Sequence, residues 1–402
     1  MAGAVSHRVR TLRLVTVDPF TIAVPDAALA DLRRRIRATR WPEPATQDGW
    51  AQGVPLGWLR DLAGYWAEGY DWRRFERRVA GVPQVTTVVG GLRLHALHVR
   101  SPHPGATPLV LTHGWPGSFV EFLDVLEPLT RPPDPADAFH VVVPSLPGYG
   151  FSERPSVPGW GIVRIADAWA DLMARLGYDR FGASGGDWGS SISTVLGLRH
   201  PGRVAGLHLT PPLVAPDPET AHDRTPAEQA AVDALTASAD GSAYSALHAT
   251  RPQTLGYGLL DSPVGLAAWL LEKVVAWSDH DGDVHAVLSR DQLLDDVTLY
   301  WLTGTAASST RLYRESIATV QSWFTRGTTD SVTVPTGAAV FRDLPRPSRR
   351  WAERRFPDLR YWSEPERGGH FAAWEQPEVF VRELRASFRA LRQGGPAPGS
   401  VP

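Results

Sequence analysis

Residues 180–190 read RFGASGGDWGS, and the fold turns on how this stretch divides. Its first half has the small, apolar composition of a buried strand, and SISTVLGLR (191–199) that of a helix. Between them lies Gly185-Gly186-Asp187-Trp188-Gly189. A strand that turns straight into a helix brings the chain close to itself, so the positions two before and two after the turning residue must be small. Asp187 has glycine at both. The helix N-terminus also favours an anion there. Asp187 therefore reads as a carboxylate nucleophile, or as a plain helix N-cap, for which aspartate is a preferred residue. The overlapping frame Gly182-Ala183-Ser184-Gly185-Gly186 fits G-x-S-x-G and would make Ser184 an esterase nucleophile. Two glycines after Ser184 start a helix poorly, which favours the Asp187 register.

Working outward, PLVLTHG (108–114), FHVVVPS (139–145) and VAGLHLT (204–210) are short buried strands. Helical patterns near 120–129 and 163–176 separate them. This alternation predicts βαβ units on a mostly parallel sheet. From Pro211 to about Arg326 the rhythm gives way to helix-like sequence. It returns with strands at 336–341 and 359–363 and helices at 348–355 and 377–391. The simplest account is a helical lid inserted in one α/β domain, with the lid at 213–327 and the core at 86–212 and 328–402. Ahead of the core, 1–18 reads as a loose leader. Residues 26–40 read as a helix with an acidic N-cap and a basic end, stopped by Trp41-Pro42 and Glu43-Pro44. Residues 55–68 form another, with Leu59, Leu62 and Trp66 on one face. Residues 84–99 read as a hairpin about Gly90-Gly91. The tail QGGPAPGSVP (393–402) reads as disordered.

The 402 residues are 43% hydrophobic and 21% charged, enough for a packed core. A net charge of −2 removes bulk attraction to nucleic acid or anionic membrane. Lys273 is the only lysine among 41 basic residues. With no cysteine, disulfides, thiolate metal sites and cysteine nucleophiles are excluded. No apolar run of about 18 residues and no signal-peptide pattern is present, so a cytoplasmic location is expected.

Two further clusters carry chemistry. His113-Gly114-Trp115-Pro116-Gly117-Ser118 follows the first parallel strand and can turn N–H groups toward an oxyanion. Arg367-Gly368-Gly369-His370-Phe371 follows the last strand, which places His370 in the chain order nucleophile, acid, histidine. Asp279, Asp281 and Asp283 in SDHDGDVH imitate a calcium loop. Their glycine, Gly282, is misplaced and the twelfth position is Arg290, so a solvated lid loop is expected and no metal.

With these residues in view the chain resembles the microsomal-type epoxide hydrolases, a family with many soluble bacterial members. The likeness runs through RWPEP, HGWPGS, PSLPGYGFS, GGDWGS, LLDSPVGLAAWLLEK, YWLTGTAASSTRLYRE, VPTG and RGGHFAAWEQPE. It implies an α/β-hydrolase fold with a helical lid and an N-terminal segment (1–85) that wraps it. Asp187 would be the nucleophile and His370 the base for water. The N–H groups of Trp115 and Trp188 would form an oxyanion hole, and Trp115-Pro116 a cis bond. Tyr244 and Tyr313 would be lid phenols that meet the epoxide oxygen, and Trp115, Trp188 and Phe371 would touch substrate. Asp343 is the expected acid of the triad, with Glu364 or Glu366 as alternatives. The resemblance calls for an apolar epoxide and water, no cofactor, no nucleic acid and no membrane. A homodimer is compatible with it, and the oligomeric state stays open. A haloalkane dehalogenase, which also uses an aspartate elbow, and a silent binding protein of the same fold are the competing readings.

Overall fold

The computed structural model describes residues 16–237, 242–325, 330–342 and 346–393. The tail from 394, most of the expected leader, and Asp343 lie outside the described residues. At the centre is one nine-stranded sheet of order β1-β2-β3-β5-β4-β6-β7-β8-β9. The strands are β1 (Val17–Pro19), β2 (Gln84–Val89), β3 (Leu92–Val99), β4 (Thr107–Thr112), β5 (Phe139–Pro144), β6 (Phe181–Gly186), β7 (Val204–Thr210), β8 (Thr336–Ala339) and β9 (Leu359–Ser363). The pairings β1–β2, β2–β3 and β3–β5 are antiparallel, and all others are parallel. Strands β4 to β8 are largely buried, which explains why they read as apolar runs, whereas the edge strand β9 is mostly half-buried.

Between β1 and β2 come α1 (Asp26–Arg37), α2 (Leu56–Glu68) and α3 (Trp72–Ala80). Within the core are α4 (Leu126–Thr130), α5 (Ile162–Arg175) and α6 (Trp188–Arg199). Between β7 and β8 lie α7 (Pro226–Ala237), α8 (Ala243–Thr250), α9 (Pro252–Asp261), α10 (Pro263–Trp277), α11 (Arg290–Thr303) and α12 (Ala306–Thr325). The chain closes with α13 (Arg349–Arg355), α14 (Ala372–Glu375) and α15 (Pro377–Arg392). Among the described residues no helix is long and apolar enough to cross a membrane.

Several expectations need correction. The end of the leader is ordered: Val17 to Pro19 pair with Thr87 to Val85 as an edge strand. Asp26 is the first helical residue rather than the cap, and Pro25 occupies the cap with no side-chain bond. Residues 119–125 form a 3₁₀ stretch before the short α4, because Ser118 caps a tight turn through its hydroxyl. Helix α3 escaped a reading by composition because four arginines dilute it; Trp72, Phe75 and Val79 nevertheless recur on one face and are buried.

The wrapping segment has a defined purchase on the lid. Trp66 Nε1 donates to Thr298 Oγ1 at 2.9 Å, Tyr70 Oη to Asp295 Oδ1 at 2.8 Å and Tyr65 Oη to Asp291 Oδ1 at 2.8 Å. Positions 291, 295 and 298 share one face of α11. Another face of the same helix carries Asp296 and Tyr300 and meets the 113–118 loop.

Candidate active site

The elbow is shaped by clearance. A Cβ on Gly185 would stand 2.5 Å from the backbone of Gly189, and one on Gly189 would stand 1.9 Å from the Thr112 carbonyl oxygen. No side chain fits at either position. Asp187 sits between them with φ 49° and ψ −126°, the one non-glycine residue with positive φ among the described residues. Strain of this kind costs about 1–3 kcal/mol and persists only where the surroundings over-determine it. Here the strand end and helix start hold the residue so that its side chain faces a cavity. Ser184 lies one turn of the pleat deeper, wholly buried in β6 between Leu111 and His208 of the neighbouring strands. It cannot reach substrate, so the esterase reading of G-x-S-x-G fails.

The 113–118 loop approaches from β4. Trp115 N donates to Asp187 Oδ1 at 2.9 Å, and Trp115-Pro116 is cis. His113 Nε2 accepts from Leu146 N at 3.2 Å and Nδ1 contacts the Gly114 carbonyl at 2.9 Å. Burial lowers His113 to about 4, so it is a neutral brace for the loop. Tyr300 Oη donates to the Gly117 carbonyl at 2.9 Å, and Ser118 Oγ to Asp296 Oδ1 at 2.5 Å. Burial raises Asp296 to about 7.

His370 arrives from the loop after β9. Its Nε2 lies 3.6 Å from Asp187 Oδ2, with side-chain exposures of 13% for the histidine and 20% for the aspartate. Asp187 is thus divided in function: Oδ1 is tied to the Trp115 N–H, and Oδ2 faces the histidine. The loop is fastened by Glu375, a buried carboxylate that motif reading did not single out. It accepts from Gly369 N and Phe371 N at 2.9 Å each and from Asp279 N at 2.6 Å. His370 N donates to the Trp277 carbonyl at 2.9 Å. Asp279 is therefore no solvated decoy. It accepts from Gly368 N at 2.9 Å and pairs with Arg367 at 3.1 Å, joining the lid to the histidine loop. Asp281 is exposed, and Asp283 caps a short turn through His285 N.

Both lid phenols reach the site. Tyr313 Oη donates toward Tyr244 Oη at 3.5 Å. Burial pushes the Tyr313 phenol well above its usual value, and Tyr244 beside it adds to the rise. Tyr244 stacks on Trp115, with centroids 5.2 Å apart and planes at 11°. Asp187, Trp188, Tyr244, Tyr313 and His370 line one cavity of about 370 Å³. The rest of its wall is largely apolar, from Pro211–Val214, Leu235, Ile317, Val320, Phe324 and Trp351. Phe371, expected to touch substrate, is buried behind His370 against Trp277 and Trp374. The Trp115 indole likewise backs Tyr244 rather than lining the wall, because stacking there holds the phenol in place. Glu364 and Glu366 are exposed, and Glu364 is engaged by Trp362 Nε1 at 3.0 Å.

A parallel-rich sheet with an inserted helical lid, and a strained carboxylate at the strand–helix elbow facing a histidine, define an α/β-hydrolase fold with an aspartate at the elbow. Sequence families agree: epoxide hydrolase N terminus matches residues 17–122 and alpha/beta hydrolase fold residues 107–240. A protein of Stigmatella aurantiaca named as a candidate epoxide hydrolase is 50% identical, covering 94% of this chain and 86% of that protein. Epoxide hydrolase 1 of Sus scrofa is 34% identical, covering 94% and 90%. The Aspergillus niger epoxide hydrolase structure superposes with a TM-score of 0.84 at 32% identity, covering 94% and 97%. The chain belongs to the epoxide hydrolase family.

Proposed function

We propose that this enzyme converts an apolar epoxide to a vicinal diol through a covalent ester on Asp187, which is then hydrolysed by water activated by His370. The observation that carries this reading is the split of the Asp187 carboxylate between a main-chain donor and the histidine, with two phenols on the same cavity. A carboxylate attacks without a base. Oδ2 forms the bond to an epoxide carbon, and the ring oxygen takes a phenol hydrogen bond and a proton. Water then adds to the Asp187 carbonyl carbon while His370 takes its proton. The negative charge that develops on Oδ1 meets the Trp115 N–H, with the Trp188 N–H as second donor.

Asp343 is the acid proposed to orient His370. Its neighbour Arg342 donates its N–H to the Gly368 carbonyl at 2.8 Å, which ties the strand exit before Asp343 to the histidine loop. The exposure of Glu364 and Glu366 argues against both.

Multiple turnovers in ¹⁸O-water followed by peptide mass analysis test the route. Label is expected in the carboxylate of Asp187; label confined to the diol overturns the ester. One observation favours a second reading: Trp188 lines the cavity, and its indole N–H is buried without a hydrogen-bond partner among the described residues, as a halide site would use. Halide release from a bromoalkane without diol formation from an epoxide would select the dehalogenase instead.

A further inference from the structure

We propose that Lys273 tunes the ring-opening step: its ammonium, held over the ring of Tyr244, makes Tyr244 rather than Tyr313 the phenol that protonates the epoxide oxygen. This rests on the tyrosine pair receiving that oxygen, as set out above. Lys273 lies on α10 and is 7% exposed. Its Nζ stands 4.9 Å from the Tyr244 ring centroid and 6.0 Å from that of Trp277. These are distances at which a cation is drawn to an aromatic face, more strongly when water is excluded. Every other basic residue of the chain is arginine. A compact ammonium and a planar guanidinium are not interchangeable, so the single exception, buried beside the site, has a chemical reason.

The surroundings make the two phenols unequal. Tyr244 is fixed by its stack on Trp115 and receives the hydrogen bond that Tyr313 donates. Negative charge on the Tyr244 oxygen therefore gains from a donor as well as from the ammonium. Around the pair lie Glu272, His248, Asp187, His370 and Tyr149, the last with its hydroxyl donated to the Ser309 carbonyl. Glu272 pairs with Lys273 at 3.1 Å from a partly exposed position, where water weakens its hold. His248 is brought to about 3 by burial and accepts from Trp269 Nε1 at 2.9 Å, so it adds no second cation.

The step balances. Asp187 Oδ2 bonds to one epoxide carbon, that carbon–oxygen bond breaks, and its electron pair goes to the ring oxygen. This oxygen takes the Tyr244 hydroxyl proton. The charge that began on Asp187 ends as phenolate beside Lys273. In ester hydrolysis one water proton goes to His370 and the other to the alkoxide released from the Asp187 carbonyl carbon, which restores the carboxylate; the His370 proton then returns to the phenolate through solvent.

Stopped-flow tryptophan fluorescence with styrene oxide separates ester formation from ester hydrolysis. Lys273→Met is expected to slow ester formation about 10- to 30-fold, the worth of a desolvated cation on a ring, and to leave ester hydrolysis unchanged. The slowing should vanish in a Tyr244→Phe background and persist in Tyr313→Phe. Equal slowing in both backgrounds, or slowed hydrolysis instead, overturns the assignment. A second measurement needs no lysine variant: ¹³Cζ-tyrosine spectra, assigned with the two phenylalanine variants, should show Tyr244 ionising before Tyr313. The reverse order overturns the proposal. A wild-type enzyme that forms diol with no Asp187 ester fails the function reading itself, a result distinct from either.

Discussion

Glu375 fastens the loop that carries His370 without itself lining the cavity. Its two oxygens gather N–H groups from Gly369, Phe371 and Asp279, on either side of His370 and across in the lid. Burial raises its carboxyl above the usual range, while the three N–H donors pull it back toward the anion. A glutamine offers one acceptor oxygen and turns an NH₂ toward an N–H. Glu375→Gln is expected to slow ester hydrolysis about tenfold or more through loss of histidine alignment, while ester formation, which needs no histidine, stays near wild type. Rapid-quench mass analysis would then find the ester accumulating on Asp187. Loss of both steps together would mean that Glu375 supports the whole site instead. Asp187 and His370 stood out in the sequence because each sits in a local motif. Glu375 did not, because its partners are main-chain groups, which carry no letter in a sequence.

At the scale of elements, the elbow and α11 do the positioning. The elbow works because α6 starts where β6 and β4 leave no room for a side chain. Gly189→Ala places a methyl 1.9 Å from the Thr112 carbonyl, and backbone cannot yield as a flexible side chain can. A loss of about 3 kcal/mol in urea unfolding is expected, together with loss of turnover. Gly64 lies inside α2, and a Cβ there meets nothing within 4 Å. Gly64→Ala should therefore stabilise by up to about 1 kcal/mol through helix propensity. Equal effects at both glycines would show that clearance is not what the elbow requires. Helix α11 reads as weakly patterned because it is buried on opposing sides: Asp291, Asp295 and Thr298 meet the N-terminal segment, and Asp296 and Tyr300 meet the 113–118 loop.

For the whole molecule, the question is what holds the lid over the core. Arg350 on α13 grips Glu228 on α7 with two bonds, 2.7 Å to Oε1 and 2.5 Å to Oε2. This guanidinium holds the Glu228 carboxyl down at about 2. A carboxyl with a lowered folded value stabilises fully above its unfolded value of about 4.5 and loses that contribution as the pH falls toward 2. Thermal melts should therefore show the lid loosening across this acid window, and Glu228→Gln should flatten the change there. An unchanged slope in the variant would assign the acid sensitivity to other groups. Pro347 and Trp351, close to Arg350 in the chain, both line the cavity.

What the sequence determined by itself was local. Glycine spacing around Asp187, apolar runs long enough for buried strands, and the loss of that rhythm after Pro211 set the α/β architecture, the helical insertion and the order of Asp187 and His370 along the chain. Tertiary structure decided which side chains share one space. It buried Ser184 in the sheet, moved Phe371 behind His370, turned Asp279 from a loop acid into an anchor, and set the lone lysine over one tyrosine of a pair. The reason is physical. Clearance and periodicity act between near neighbours along the chain, whereas burial, charge proximity and main-chain hydrogen bonding act between segments that only folding brings together.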